Sequence, residues 1–428
     1  MPIFLKKDKK KNVQKTFNSQ ADSFLFHHFF GILDAMVKLI NLKSFQEFLK
    51  SGTAGGVILI LCVIISLIIA NSGWDKGFST LLATPLGYHN HGLHLEYSLL
   101  IWINDGLMAI FFLLVGLEIK RELIEGELAS IKKATLPVFA ALGGVIAPAL
   151  IYTAFNRGTE LAGGWGIPMA TDIAFALAVI TLLGKHVPSS LKIFLAALAI
   201  VDDLMAILVI ALFYSTSLQY TYLLYAGLVF TLQLLFNRLG VKGIIFYIIP
   251  GVFLWYFIHH SGIHATIAGV LTAFTLPTTA DNKESPLEKL EHILVKPVNF
   301  IIMPLFALAN TNIRYEDGML TGLFTPLGLG IVLGLLIGKP LGITLLSGLA
   351  VKLKISSRPD GASWKHVLGV GMLGGIGFTM SIFIALLSFA DATHILAEAK
   401  FSILTGSILS ATAGSVLLLL TKSKKSAP

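Results

Sequence analysis

Leu195-Ala-Ala-Leu-Ala-Ile-Val-Asp-Asp-Leu-Met-Ala-Ile-Leu208 places two adjacent carboxylates in the middle of an apolar stretch that runs from about 190 to 215. A helix needs about 20 largely apolar residues to cross the hydrocarbon core of a bilayer, so this stretch is long enough to span one. Neighbouring side chains on a helix diverge by about 100°. Asp202 and Asp203 therefore cannot share one direction, and at least one must meet a polar cavity or a partner. An ionisable residue at the centre of a membrane helix costs about 2.5 to 3.5 kcal/mol on insertion scales, which makes it a functional candidate by default. Two close carboxylates in a low dielectric resist carrying both negative charges at once. No basic residue lies close to them on the same stretch, so a proton, a cation or a distant lysine must neutralise them. Such a group can trade a proton for a cation. Gluing or capping helices is a serious competing explanation for one intramembrane aspartate and a much weaker one for an adjacent pair.

Outward from the pair the chain keeps the same character. Of its 428 residues 55% are hydrophobic and 13% charged, against roughly 25% charged in a typical soluble domain. Apolar stretches of spanning type lie near 52–72, 98–118, 134–156, 163–183, 190–215, 220–237, 241–259, 262–277, 294–313, 323–349, 367–390 and 399–421, with 262–277 the shortest. The fold class this predicts is an all-α polytopic membrane protein of about 12 transmembrane helices. Loop charges agree. With the N-terminus inside, the inner loops receive Lys120, Arg121, Lys132, Lys133, Lys185, Lys192, Arg238, Lys242, Lys352, Lys354, Arg358 and Lys365, and the tail brings Lys422, Lys424 and Lys425. The opposite loops hold little more than Lys76, Arg157, Arg314 and Lys400. This bias predicts that both termini are cytoplasmic. Six lysines (Lys6, Lys7, Lys9, Lys10, Lys11, Lys15) crowd the start of the chain, so the net charge of +8 points to a lipid-facing tail and not to nucleic acid. The expected organisation is a basic cytoplasmic extension over 1–50, a transmembrane domain over 51–421 and a short basic cytoplasmic tail over 422–428. No apolar segment with a small-residue cleavage site follows the lysines, so the extension is expected to stay on the mature protein. The single cysteine, Cys62, lies in an apolar run and offers neither a disulfide nor a thiolate metal site.

Charge at membrane depth is confined to Asp172, Asp202, Asp203 and Lys339, with Asp105 nearer a helix end and His259, His260 and His264 at a short turn. Gly163-Gly-Trp-Gly-Ile-Pro-Met-Ala-Thr-Asp-Ile-Ala-Phe-Ala176 is a span interrupted by glycines, Pro168 and the polar couple Thr171-Asp172. A continuous helix is not expected there. Interrupted helices free backbone carbonyls, which membrane depth tolerates only beside protein or a water-filled cavity. Gly369-Val-Gly-Met-Leu-Gly-Gly-Ile-Gly-Phe-Thr-Met-Ser381 is a second interruption, late in the chain. Two such segments in the two halves predict discontinuous helices, inverted repeats and a site near the midplane. Close helix packing is the simpler explanation for membrane glycines and fits Gly143-Gly144 better. Lys339 lies too deep to snorkel easily and needs an anion, and the three aspartates are the only deep anions available. A structural ion pair and a displaceable counter-charge both fit; the second is preferred, because a cation arriving at the aspartates would repel the ammonium.

These residues resemble the NhaA-type sodium/proton antiporters. The resemblance runs from about residue 50 to 421, through Trp102-Ile-Asn-Asp-Gly, Gly116-Leu-Glu-Ile-Lys-Arg-Glu-Leu123, Ala170-Thr-Asp-Ile-Ala-Phe-Ala-Leu177, Val201-Asp-Asp-Leu204, Ser261-Gly-Ile-His-Ala-Thr266, Gly338-Lys-Pro-Leu-Gly342 and Gly374-Gly-Ile-Gly-Phe-Thr-Met-Ser381. It implies twelve helices, two unwound helices crossing near the site, a homodimer, and a multi-pass protein of the bacterial inner membrane. By that resemblance Asp202 and Asp203 are the ion-exchanging pair that carries Na+, Thr171 and Asp172 the polar break beside it, and Lys339 the buried lysine. Glu118, Lys120, Arg121, Glu122, Glu291 and His292 correspond to the family's pH-responsive cytosolic face, and His264 to a histidine linked to pH response. Ordinary loop charges and a satisfied turn histidine compete with that assignment.

The implied function is secondary active exchange of Na+, and of Li+, for H+, regulated by pH and electrogenic, with no cofactor and no enzymatic step. The basic extension departs from the family pattern, as does Tyr88-His-Asn-His-Gly-Leu-His94, whose histidines suit an exposed outer hairpin better than a metal site. Proton-coupled transport of another cation or of an organic anion is the nearest rival. An intramembrane aspartyl protease would need its aspartates on separate helices within Gly-x-Gly-Asp, and the chain has no Gly-Asp dipeptide. A metalloprotease would need His-Glu-x-x-His, which is missing.

Overall fold

The computed structural model describes residues 54–90, 93–215, 218–278, 284–390 and 392–421. The expected basic extension and the tail over 422–428 lie outside these residues, as do His91 and Gly92 of the histidine loop. Among the described residues every predicted stretch is helical, and the only strands are four two-residue pieces. Pro85–Leu86 pairs with Tyr97–Ser98 and His89–Asn90 with Leu93–His94, both antiparallel, so the histidine loop is a hairpin. Seven helices are long and apolar enough to cross a bilayer: Leu99–Ile124, Ile131–Asn156, Ser189–Phe213, Tyr220–Arg238, Pro286–Asn310, Pro326–Lys352 and Thr393–Leu420. Three bent helix pairs bring the count to ten if each is one span. Two of them, Glu160–Met169 with Ile173–Leu182 and Trp364–Gly374 with Phe378–Ser388, are the two interruptions foreseen in the sequence, bent by 40° and 48°. The third, Ala54–Ala70 with Asp75–Ala83, turns by 112°, so its second helix runs sideways and does not extend the first.

The short stretch at 262–277 contracts to a nine-residue helix, Ile267–Thr275. At 1.5 Å per residue this is about 14 Å, half a hydrocarbon core. Gly262 takes a positive φ of 85°, and the turn that follows consumes the residues counted towards a span.

Burial is inverted relative to a soluble protein. Asp172, Asp202, Asp203 and Lys339 are each 2% exposed or less, while Leu212, Tyr220, Leu224 and Leu228 are all more than 60% exposed. An apolar rim of this extent marks a surface made for lipid or for a partner chain. Tyr220–Arg238 shows it most plainly, since only Ala226 and Gln233 are buried along its length.

Ile131–Asn156 and Lys339–Lys352 approach until backbone meets backbone. A Cβ on Gly143 would collide with the Gly342 carbonyl, and one on Gly342 with the Gly143 carbonyl. Small residues at such crossings are how membrane helices gain van der Waals contact. Gly143→Val or Gly342→Val is expected to destabilise the fold by about 1–3 kcal/mol or more, as overpacking does. Gly163→Ala, with nothing within 4 Å of its new Cβ, is expected to stay within about 0.5 kcal/mol. Thermal unfolding in detergent compares the three.

Candidate functional site

Each broken helix ends where its residues cannot continue. Pro168 closes the tight segment Glu160–Met169, and Ala170 turns extended, with φ −77° and ψ 151°. Asp172 then caps the next helix, its Oδ1 accepting from Phe175 N at 3.1 Å. On the other side Trp364–Gly374 stops at Gly375, and Phe378–Ser388 restarts after Gly377. A Cβ on Gly377 would lie 2.8 Å from Ala170 O, so only glycine lets the two breaks come this close.

The breaks cross face to face. Asp172 N donates to Ile376 O at 2.6 Å, and Ser381 Oγ donates to Ile167 O at 2.7 Å. As residue numbers fall on one segment they rise on the other, so the segments run in opposite directions, as inverted repeats require. Lys339 Nζ donates to Met169 O. Thr171 Oγ1 lies 2.8 Å from Gly374 O. Carbonyls freed by the breaks are thus taken up inside the protein, which is the condition for irregular backbone at membrane depth.

Charges sit where the helix ends favour them. Asp172 Oδ2 accepts from Thr379 N at 3.1 Å and Thr379 Oγ1 at 2.5 Å. This single carboxylate therefore faces the N-termini of two half-helices, whose free N–H groups and dipoles favour an anion. Lys339 does the reverse at the C-terminal carbonyl of Glu160–Met169. Five residues of wider, π-helical winding, Gly334–Gly338, lead into it.

Asp202 and Asp203 diverge as their adjacency demands. Asp202 turns to Lys339, with Oδ2 2.5 Å from Nζ and neither side chain exposed. Thr171 Oγ1 lies 2.5 Å from the same oxygen. One hydroxyl hydrogen therefore has two acceptors in reach, Asp202 Oδ2 and Gly374 O. Asp203 turns to a cavity of about 40 Å³ that it lines with Glu118, Thr171, Asp172, Asn299 and Thr379. Asp202 Oδ1 and Asp203 Oδ1 are buried without a hydrogen-bond partner among the described residues. A larger cavity, of about 580 Å³ with Trp102 and Trp255 on its wall, carries no charged side chain and shares no lining residue with the first.

Thr171, Asp172, Asp202, Asp203 and Lys339 thus converge on one place. The candidates for pH response divide. Glu118 lines the cavity, while Arg121, one turn on, pairs with Glu291 at 2.5 Å and with Glu122 at 3.4 Å. Lys120 donates to Phe274 O at 2.8 Å and Leu276 O at 2.5 Å, closing the end of Ile267–Thr275. His292 is exposed and faces Glu284 at 3.1 Å. His264 lies apart from these, 3.6 Å from Asp105, whose other oxygen is 3.3 Å from His259. Asp105 and Glu118 are thirteen residues apart on Leu99–Ile124, about 20 Å.

Sequence reasoning did not single out Thr379, although it lies in the quoted glycine-rich string, or Asn299. The available signal for Asn299 was a lone carboxamide in the apolar run Val298-Asn-Phe-Ile-Ile-Met303.

The chain is similar to known proteins along most of its length. Residues 46–418 match the sequence profile of a family described as Na+/H+ antiporter 1. Na(+)/H(+) antiporter NhaA 2 of Flavobacterium johnsoniae is 64% identical over 385 residues, covering 90% of this chain and 94% of the relative. Na(+)/H(+) antiporter NhaA of Flavobacterium psychrophilum is 52% identical over 370 residues, 86% and 94% of the two chains. The protein of that name from Escherichia coli O139:H28 is 48% identical over 376 residues, 87% and 97%.

Removing one member of a buried ion pair leaves the other uncompensated. Lys339→Met is expected to destabilise the protein by about 3–5 kcal/mol, and adding Asp202→Asn to recover most of that loss. Denaturation midpoints of the single and double variants decide it.

Proposed function

The chain belongs to the Na+/H+ antiporter 1 family, and on that premise we propose that it expels Na+ in exchange for H+ through competition of the two ions for Asp203 and Asp202. It is a transporter and not an enzyme, and it needs no cofactor. The observation that carries the site is the state of Asp203: a buried carboxylate beside a second carboxylate, with an unpartnered oxygen and a small cavity in front of it. Lys339 answers the charge of Asp202. Asp203 has no comparable partner, so a proton or a sodium ion supplies its positive charge.

Exchange follows from that shortage. A sodium ion entering the cavity binds Asp203 only once its proton has left, and its field repels the Lys339 ammonium from Asp202. A proton arriving on either carboxylate weakens the hold on sodium in turn. Each bound ion biases an existing equilibrium between two openings of the site. The crossed breaks are the place where small shifts change which side is open, since each half-helix is held there by a few hydrogen bonds and not by a continuous ladder.

With protons leaving both Asp203 and the Asp202–Lys339 pair for one Na+, a cycle moves one net charge. Membrane potential then contributes about 2.3 kcal/mol per charge per 100 mV. Li+, with the same charge and preference for oxygen, shares the route. Regulation by pH is assigned to Glu118, Lys120, Arg121, Glu122, Glu291 and His292, a charged group that reaches the cavity wall at Glu118, with His264 acting beside Asp105. Family membership supports a homodimer in the bacterial inner membrane, and the loop charges support cytoplasmic termini.

In proteoliposomes an imposed pH difference is expected to collapse on addition of Na+ for the wild type and to persist for Asp203→Asn; undiminished exchange by that variant refutes the site. Calorimetric titration with Na+ is expected to release protons, with an affinity that falls as the pH is lowered. Sodium affinity independent of pH, with no proton release, rules out competition, and an organic-anion carrier would ignore sodium altogether.

A further inference from the structure

The cavity in front of Asp203 has six polar side chains on its wall, and three of them are already engaged. Asp172 is held by Phe175 and Thr379. Thr171 reaches Asp202 and Gly374 O. The side chains of Asp203, Glu118 and Asn299 make no hydrogen bond and no ion pair among the described residues, although all three line the cavity. They are two carboxylates and one carboxamide. From this we infer that Asn299 is a sodium ligand, supplying its side-chain carbonyl oxygen as the neutral donor that completes the coordination begun by Asp203. The inference rests on the proposed antiport site and adds a residue that sets its affinity and ion preference.

The position of Asn299 supports it in three ways. A carboxamide inside an apolar membrane helix is unfavourable unless its polar end is satisfied, because hydrocarbon offers no partner. Asn299 is half-buried and its amide has no protein partner among the described residues, so the amide is open to whatever enters the cavity. Its helix departs from α-winding at that point. Val298–Ile302 is π-helical, and Met303 N donates to Val298 O, five residues back. A π-turn is unfavourable relative to the α-helix and recurs at functional sites because the extra residue re-aims the side chains around it. Val298, Asn299 and Met303 all reach the cavity wall, so Asn299 shares the cavity with Asp203.

Chemistry accounts for a neutral donor at this place. A hard cation takes oxygen ligands and needs several of them to replace its water. A third carboxylate would add negative charge that a monovalent ion cannot balance, and would bind protons in competition. A carboxamide oxygen contributes to coordination without titrating, so it tightens sodium while leaving the proton side of the exchange unaltered. Packing is the alternative role: a Cβ on Gly55 would lie 3.4 Å from Asn299 Cβ, so this helix is closely approached there. That contact involves the Cβ and the backbone of Asn299, not its amide.

The test uses full-length protein in proteoliposomes, with Na+ and Li+ as the probes. Asn299→Leu, which keeps the bulk and removes the donor, is expected to raise the apparent KM for Na+ about tenfold at fixed pH while the maximal rate stays within about twofold. Li+, which gathers fewer ligands, is weakened less, so the ratio of the two KM values changes. Asn299→Asp, of the same shape and with an oxygen retained, is expected to hold the sodium KM near the wild-type value at alkaline pH and to raise it as the pH falls and the added carboxyl takes up a proton. A packing role moves the maximal rate or the thermal midpoint of both variants and leaves the sodium-to-lithium ratio where it was; that result overturns the inference, as does an unchanged sodium KM in Asn299→Leu. Asp203→Asn run alongside separates the two levels. If it abolishes exchange while Asn299→Leu does nothing, only the inference about Asn299 fails; if it exchanges normally, the antiport site itself fails with it.

Discussion

An ammonium sealed away from water needs an anion and an acceptor against it, because burying an ion costs several kcal/mol even after the protein relaxes. In this protein the anion is Asp202, 137 positions earlier in the chain, and the acceptor is the carbonyl of Met169. Satisfying Lys339 therefore ties together Ser189–Phe213, the first broken helix and the helix that carries the lysine. The carbonyl is available only because Glu160–Met169 ends where it does. Had that segment continued as an α-helix, the C=O of Met169 would be spent on a ladder hydrogen bond.

The same requirement explains the second break. Asp172 must find donors, and the N-terminus of its own helix offers too few. Phe378–Ser388 supplies Thr379 N and Oγ1, and does so only because glycine at 377 lets its start lie against Ala170. The interruptions are thus matched: one yields acceptors for a cation, the other donors for an anion. Asp203 is the charge this arrangement leaves uncompensated. On the proposed mechanism, a site that satisfied all four deep charges would have no place for an exchanging ion.

Much of this was legible in the residues. Asp172, Asp202, Asp203 and Lys339 stand out because ionisable groups in apolar spans are rare, and Pro168 with its glycines marks the first break by steric rules alone. The pairing was not legible. That Lys339 meets Asp202 and leaves Asp203 free depends on which face of Ser189–Phe213 turns towards which neighbour, and adjacency establishes only that the two must differ. The length of Ile267–Thr275 was misjudged because an apolar turn and an apolar helix have the same composition. The π-helical turns at Val298–Ile302 and Gly334–Gly338 have no signature of their own, since any apolar residue can be wound that way. A lone asparagine gives a weak signal for the same reason: without a charge it does not announce that it needs a partner.

Gly143 and Gly342 meet with no side chain between them, so the two helices that bear them are fixed to one another at the level of main-chain atoms. There is no cushion of rotamers to absorb a slide or a twist. That contact couples Ile131–Asn156 to the span Pro326–Lys352 as a strut, with the lysine near the middle of the second helix. Compliance must then reside where the chain abandons regular winding, in the crossed interruptions and the widened turns. A displacement of the strut too small to notice in its own length would be felt at Asp202 as a change in the distance between opposite charges.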